Sequence, residues 1–323
     1  MKKICITGAN GFIGKSLCER LNKPGNVIRG IVRTLSPDLK LNNVEYLTLN
    51  DISGKINLDK SLKNFDCIIH CAGKVNSTEK ENKSDTYFSA NTELTKDLVE
   101  QAAKLKIKRF IFLSTIKING ECTGIEMNNE IKKKFSKVFK YSDVPNPQDL
   151  YSCSKFEAEK ALQEISSRTG LEVIVVRLPL VYGYSVKGNL AKLIKLVRSG
   201  IPLPLSLVKN QRSMIGMDNL VDLLIRCIDH PEASGKTFLA SDGMDLSTPE
   251  LIKLIASSMG RKANLFPFPI FMLKFLGLVF GRSEEINRLV GSLRVDNSYT
   301  KKILNWVPPI SVEEGIRRMV QGK

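Results

Sequence analysis

Residues 7–14 read "TGANGFIG" and set Gly8, Gly11 and Gly14 directly after a short apolar run, "KICIT" (3–7), and at the start of a helix-like pattern from Phe12 to Leu21. Glycines at this spacing are a weak signal by themselves; their place between a strand and a helix makes the signal strong. A tight turn, a close backbone approach to phosphate oxygens and tight helix-on-strand packing each need a position without a side chain. The helix start then offers unpaired N–H groups and partial positive charge, so the turn reads as a seat for a diphosphate.

Outward from the turn, strand-like and helix-like segments alternate. "VIRGIVR" (27–33), "VEYLTL" (44–49), "DCIIHCA" (66–72), "RFIFLST" (109–115) and "LEVIVVRLP" (171–179) are rich in Ile, Val and Phe. Helical patterns lie between them, clearest at 91–105 and 154–166. This alternation predicts an α/β fold, a doubly wound parallel sheet with right-handed crossovers. After Val181 the pattern loosens into short apolar pieces broken by proline and glycine, which predicts a smaller second lobe. The expected division is 1–182, rejoined by 214–241, against a discontinuous lobe from 183–213 and 242–323.

With 323 residues and 42% apolar content the chain can bury a full core. The opening residues reach the glycine turn before any signal-like apolar stretch could form, so a cytoplasmic protein is expected. Seven scattered cysteines and two histidines supply neither zinc spacing nor a histidine-based triad, and no metal site is expected. The net charge of +16 raises nucleic acid or an anionic membrane as a partner. The lysines are spread along the chain without interleaved aromatics, so a generally basic surface suited to anionic small molecules is expected, and no nucleic-acid site. "FPFPIFMLKFLGLVFG" (266–281) is too short to span a bilayer and carries Lys274; a buried helix of the second lobe is expected, with peripheral membrane contact as the most it could support.

"YSCSK" (151–155) puts a phenol and an ammonium one helical turn apart on one face. The spacing permits two groups aimed at one ligand, but taken alone it favours a solvated pair on a helix surface.

Taken together, the motifs resemble those of the extended short-chain dehydrogenase/reductases, the NAD-dependent epimerase/dehydratase family, over nearly the whole chain. The turn is G-x-x-G-x-x-G; "DI" (51–52), "HCAG" (70–73), Asn91, "LSTIKING" (113–120), "YSCSK" and "RLPLVYG" (177–183) follow in the family's order. The resemblance implies a Rossmann-type fold and a cofactor held by Gly8, Asn10, Gly11, Phe12, Ile13, Gly14, Asp51, Ile52, Cys71, Ala72, Gly73, Asn91 and Pro179, with Tyr151 and Lys155 on the nicotinamide ribose. It implies Thr115, Tyr151 and Lys155 as catalytic residues. Tyr151 would exchange a proton with a sugar oxygen while hydride moves between that carbon and the nicotinamide. Lys155 is expected to lower the phenol's pKa. Ser152 and Cys153 depart from the family's usual residues inside the motif.

The end of the second strand, where NAD users carry an acid, reads "IVRTLS", and Asp38 comes later. Arg33 there favours NADP(H), with NAD(H) as the alternative. The resemblance further implies a UDP-sugar substrate met by Lys74, Thr115, Asn189, Arg212 and Arg282, and a homodimer. Within the family, the chain is similar to a bacterial subgroup from surface-polysaccharide gene sets. Arg33 tips the expected activity toward C4 reduction of a UDP-4-keto-6-deoxy-N-acetylhexosamine; the alternative is a UDP-hexose 4-epimerase. A non-enzymatic redox-sensing binder and an RNA-associated protein are weaker alternatives, because both Tyr151 and Lys155 are present and the basic charge is not concentrated.

Overall fold

In the computed structural model, which describes residues 2–35, 41–48, 62–75, 83–124 and 137–322, the six apolar runs become strands of one parallel sheet, which a seventh strand joins. These are β1 (Lys2–Thr7), β2 (Asn26–Val32), β3 (Val44–Thr48), β4 (Cys67–His70), β5 (Arg109–Thr115), β6 (Glu172–Leu178) and, after two strands outside this sheet, β9 (Thr237–Leu239). Their spatial order is β3-β2-β1-β4-β5-β6-β9. The chain reverses direction across the sheet between β1 and β4, whose registers pair Ile4 with Cys67 and Thr7 with His70. A crevice opens at the carboxyl ends of these two strands.

Helices cover both faces, which is why the strands are apolar runs rather than alternating ones. Alternate residues feed two cores. Ile4, Ile6, Ile111, Leu113, Ile174 and Val176 pack under α1 (Phe12–Leu21) and α6 (Met217–Asp229). Cys5, Phe110, Phe112, Val173 and Val175 pack under α3 (Leu94–Lys104) and α4 (Leu150–Thr169). Between α2 (Lys83–Phe88) and α3, residues Ser89–Glu93 form a π-helical turn. Such one-turn insertions are frequent at functional sites.

The second lobe has its own apolar cluster. It joins β7 (Leu180–Tyr182) and its partner β8 (Met214–Gly216) to α5 (Asn189–Ser199), α7 (Thr248–Ser258), α8 (Ile270–Val279), α9 (Ser283–Val290) and α11 (Val312–Gln321). Within 242–323, however, Leu304 at the end of α10 (Ser298–Leu304) and Trp306 pack in the sheet core, and the Trp306 indole donates to Asp222 at 2.8 Å. That stretch therefore serves both cores. The apolar stretch at 266–281 does form a helix, but it is not the buried one expected: Phe271, Phe275, Leu278 and Val279 of α8 face outward. Among the described residues, no helix is long and apolar enough to cross a membrane.

Candidate active site

The glycine turn leaves β1 with Gly8 at φ +65°, a left-handed conformation open to glycine. A Cβ on Gly8 would lie 2.8 Å from the Ala72 nitrogen, and one on Gly14 would lie 2.2 Å from the Gly8 carbonyl oxygen. Both glycines are thus demanded by the protein's own packing. Gly11 caps α1 without a side-chain hydrogen bond, and no acid lies in the first turn. The N–H groups of Phe12, Ile13 and Gly14 are therefore presented at the helix start, where an anion fits. The Phe12 ring itself turns inward, near Gly183, and Ile13 packs against the sheet core.

A cavity of about 570 Å³ runs along the crevice. Thr7, Gly8, Asn10 and Gly11 line it from the β1 end, Arg33 from the β2 end and His70 to Lys74 from the β4 end. Its size suits a nucleotide. Arg33 is exposed just past the end of β2, and the Asn10 amide reaches the neighbouring Thr34 carbonyl. Asp51, Ile52 and Asp38 lie outside the described residues.

Thr7 and His70 hold the two walls together. The Thr7 hydroxyl lies 2.6 Å from His70 Nδ1 and accepts from the Ala72 N–H at 3.3 Å, while His70 Nε2 lies 3.0 Å from the Thr95 hydroxyl. Burial, with the charge of nearby Lys155, pushes His70 down to about 3, so it is a neutral structural tie. Asn91, in the π-helical turn, accepts from the Lys74 N–H at 2.8 Å and donates to the Lys74 carbonyl and the Ser154 hydroxyl at 3.0 Å each. Its amide is engaged inside the protein: it positions the floor of the groove.

Helix α4 starts earlier than its apolar pattern, at Leu150, because Asp149 caps it. The Asp149 carboxylate accepts from the Ser152 N–H at 2.6 Å, and the Ser152 hydroxyl reaches back to the Asp149 N–H. The serine that departs from the family's usual residue is thus a helix cap. The cap puts Tyr151 in the first turn, with the Thr115 side chain beside its phenol at the end of β5. One turn on, Lys155 points inward, donates to the Leu113 carbonyl at 2.9 Å and lies 4.3 Å from the centre of the Phe112 ring. A Cβ on Gly73 would come within 3.2 Å of its ammonium, so Gly73 leaves room beside Lys155 at the inner end of the groove. Thr115, Tyr151 and Lys155 are brought together as the sequence led one to expect.

Their electrostatics differ from the expectation. Burial pushes Tyr151 up to about 12, the Asp149 charge adds to the rise, and the Thr115 hydrogen bond opposes it. Burial likewise brings Lys155 down to about 8. In the protein alone, then, the phenol is not lowered by its lysine partner, whose ammonium is drawn to a carbonyl and a ring on the sheet side.

Two groups of residues around the site carried no reading in advance. Lys117 donates to Asp149 at 2.5 Å and to Glu121 at 2.9 Å beside Thr115. Burial alone would raise Asp149, but hydrogen bonds from Lys117 and Ser152 outweigh it and hold the carboxyl at about 2. Deeper, the buried Glu159 of α4 pairs with Arg177 of β6 at 2.6 Å and accepts from Ser114 at 2.5 Å, and Arg177 also reaches Asn119 at 2.9 Å. The D-x-x-S spacing before a helix could have announced the cap. No local pattern announces the Glu159–Arg177 pair, which joins distant segments.

In the second lobe Arg212 is partly buried, donating from Nη1 to the carbonyls of Arg288 at 2.7 Å and Gly291 at 3.2 Å. Asn189 and Arg282 are exposed at the starts of α5 and α9. Pro179 is buried between β6 and β7.

The chain is 38% identical to a UDP-glucose 4-epimerase of Vibrio cholerae over 99% of its own length and 95% of that protein's. It is 20% identical, over 98% of its length and 94% of the relative's, to the N-acetyl-α-D-glucosaminyl-diphospho-ditrans,octacis-undecaprenol 4-epimerase of Escherichia coli O157:H7. In fold it matches a UDP-glucuronic acid 4-epimerase of Bacillus cereus, solved with NAD, at a TM-score of 0.77 and 19% identity, covering 99% of this chain and 97% of that one. Residues 4–240 match the NAD dependent epimerase/dehydratase family, and the chain is a member of that family.

Proposed function

We propose that the protein is a UDP-hexose 4-epimerase that uses one retained nicotinamide cofactor. The observation that carries this reading is full-length 38% identity to the Vibrio cholerae epimerase in a chain that assembles Thr115, Tyr151 and Lys155 at the inner end of a nucleotide-sized groove. That likeness favours epimerisation over the net reduction expected from Arg33. Arg33 bears on which nucleotide is held and does not decide whether it is spent.

The glycine turn, the start of α1 with no side chain on its N–H groups and the space at Gly73 fit a dinucleotide. When bound, that cofactor accepts a hydride from the sugar and returns it. The protein's residues do the rest. Tyr151 acts from its phenolate, the form that burial disfavours in the protein alone: it takes the proton of the C4 hydroxyl as that carbon becomes a ketone and, as the phenol, gives it back when the opposite face is reduced. Thr115 holds the same oxygen and fixes the phenol. Lys155, beside Gly73, orients the cofactor's ribose. Arg212, with Asn189 and Arg282 on the second lobe, meets the nucleotide diphosphate, and Lys74 lies at the groove floor near the sugar.

The cofactor proposed is NADP(H), with NAD(H) as the alternative, because Arg33 supplies a cation where a 2′-phosphate would lie. Extraction and chromatography of the nucleotide carried by the purified protein decides between them. For the reaction, purified protein is mixed with UDP-glucose or UDP-N-acetylglucosamine and no added reductant. Formation of the galacto epimer, reduced about 10²–10⁴-fold in Tyr151→Phe, is the expected result. The second reading, a 4-keto-reductase, would instead appear as stoichiometric oxidation of NADPH on UDP-4-keto-6-deoxy-N-acetylglucosamine, with no epimer formed.

A further inference from the structure

Helix α8 is apolar around its whole circumference except at Lys274 and Gly277. One side is fixed. Leu273 is buried in the second lobe, and Gly277 lets α9 approach so closely that a Cβ there would lie 2.7 Å from the Ile286 side chain. The other side is bare: Phe271 is 72%, Phe275 64%, Leu278 69% and Phe280 71% exposed, with Met272, Leu276 and Val279 beside them. Positions 271, 275, 278 and 279 follow helical spacing, so these side chains form one continuous patch. The other exposed large apolar residues, such as Val144, Tyr184 and Val307, are widely separated along the chain. A patch of this kind is a docking surface.

Charge selects the occupant. Lys274 lies on α8 itself, Arg261 and Lys262 precede it, and Arg288 follows on α9, which packs against it. Lys192, on α5, lies 3.9 Å from Glu285 and so borders the same region. The acids there are Glu284, which pairs with Arg288 at 3.1 Å, and Glu285. From 261 to 291 the balance is five basic side chains against two acidic ones, in a chain of net charge +16. A symmetric contact with a second copy through α8 would bring Lys274 and its basic flanks against themselves. An anionic bilayer accepts both features: the aromatic and aliphatic side chains enter the acyl boundary while the cations meet headgroup phosphates. At ten residues, about 15 Å, the helix lies in the interface and does not cross it.

We propose that the protein docks on anionic membrane surfaces through the exposed face of α8. The docking is independent of the reaction read above. It has a spatial consequence: the carbonyls of Arg288 and Gly291, at the end of α9, hold Arg212, so the phosphate-facing arm of the second lobe sits close behind the docked helix.

The test is flotation of the full chain with vesicles of phosphatidylcholine alone and of phosphatidylcholine with 30% phosphatidylglycerol. The wild type is expected to bind the anionic vesicles at least tenfold better than the neutral ones and to release in high salt. Phe271→Ser/Phe275→Ser is expected to lose at least tenfold of that binding, and Lys274→Glu severalfold. Met272→Ser/Leu278→Ser repeats the test on the same face should the first pair aggregate. Each variant is compared with wild type by thermal melting. Absence of wild-type binding, equal binding by the apolar-face variants, or equal binding to both vesicle types overturns the proposal. So does concentration-dependent self-association, seen by light scattering, that the same substitutions abolish, since the face would then belong to a second copy.

Discussion

Helix α4 is rich in polar residues yet buries Ser152, Ser154, Lys155 and Glu159, whereas α8 is apolar nearly throughout and leaves a whole side in solvent. The two helices reverse the usual relation between hydropathy and burial, for different reasons. In α4 each buried polar group has a partner: Ser152 the Asp149 carboxylate, Ser154 the Tyr151 carbonyl, Lys155 the Leu113 carbonyl, Glu159 the Arg177 guanidinium. The burial is stable because these bonds replace those to water. In α8 the exposed apolar groups have no partner among the described residues. One helix is completed by the fold; the other is proposed to be completed from outside.

The contrast predicts opposite responses to substitution. The largest effect falls on the buried pair: Glu159→Ala leaves the Arg177 charge uncompensated and is expected to cost about 3–5 kcal/mol in a urea melt, with activity falling as Ser114 and Asn119 lose their anchor. Lys155→Met goes the other way. Lys155 has its folded pKa lowered to about 8 from the ordinary lysine value of 10.5, so below that range the folded state carries a buried ammonium it disfavours. Between the two values the unfolded chain holds the proton and the folded chain does not, and stability contributed by this group rises with pH. The variant should therefore be more stable than wild type by about 1–2 kcal/mol at pH 7, after the lost bond to Leu113 is counted, and the advantage should vanish toward pH 10.5. Cofactor binding should be lost in the same protein.

Asp149→Asn is the subtler probe of α4. Its carboxyl is held at about 2 by Lys117 and Ser152, so the ionised cap contributes above the ordinary carboxylate range and loses its contribution as pH falls through about 2. Removing the charge is expected to cost about 1 kcal/mol of stability, since asparagine still caps a helix. It should also shift the acid limb of the pH–rate profile, where Tyr151 loses its base form, toward lower pH, because Asp149 raises the Tyr151 pKa. Least of all, Phe271→Ser on α8 should change stability by no more than about 0.5 kcal/mol in the same melts, as an exposed side chain does. A cost comparable to that of Glu159→Ala would mean that the α8 face is packed, and the contrast between the helices would collapse.

Much of this was legible along the chain. The six strands read from Ile/Val/Phe runs are β1 to β6, because strands covered on both faces must be apolar throughout. The meeting of Thr115, Tyr151 and Lys155, proposed as the catalytic residues, was legible because their spacing survives translation into one helix turn and one strand end. β7, β8 and β9 were not, since each is three residues long and carries too little pattern. The pKa of Tyr151 was not legible either: the i, i+4 spacing shows that Lys155 shares its helix face, and cannot show that a carbonyl and a ring take the ammonium. Nor could the composition of 266–281 reveal its exposure. Hydropathy says that a surface should be covered; it does not say by what.

The π-helical turn at Ser89–Glu93 has a mechanical consequence. The Asn91 amide grips the backbone of the groove floor at Lys74 from both sides and the Ser154 hydroxyl of α4, while the neighbouring Thr92 hydroxyl donates to the Ser154 carbonyl at 2.8 Å. The spacing between the groove floor and the start of α4 is thereby gauged by two adjacent side chains, like the distance between two rails set by a pair of ties. A displacement of the floor loads α4 directly, and with it the position of Tyr151.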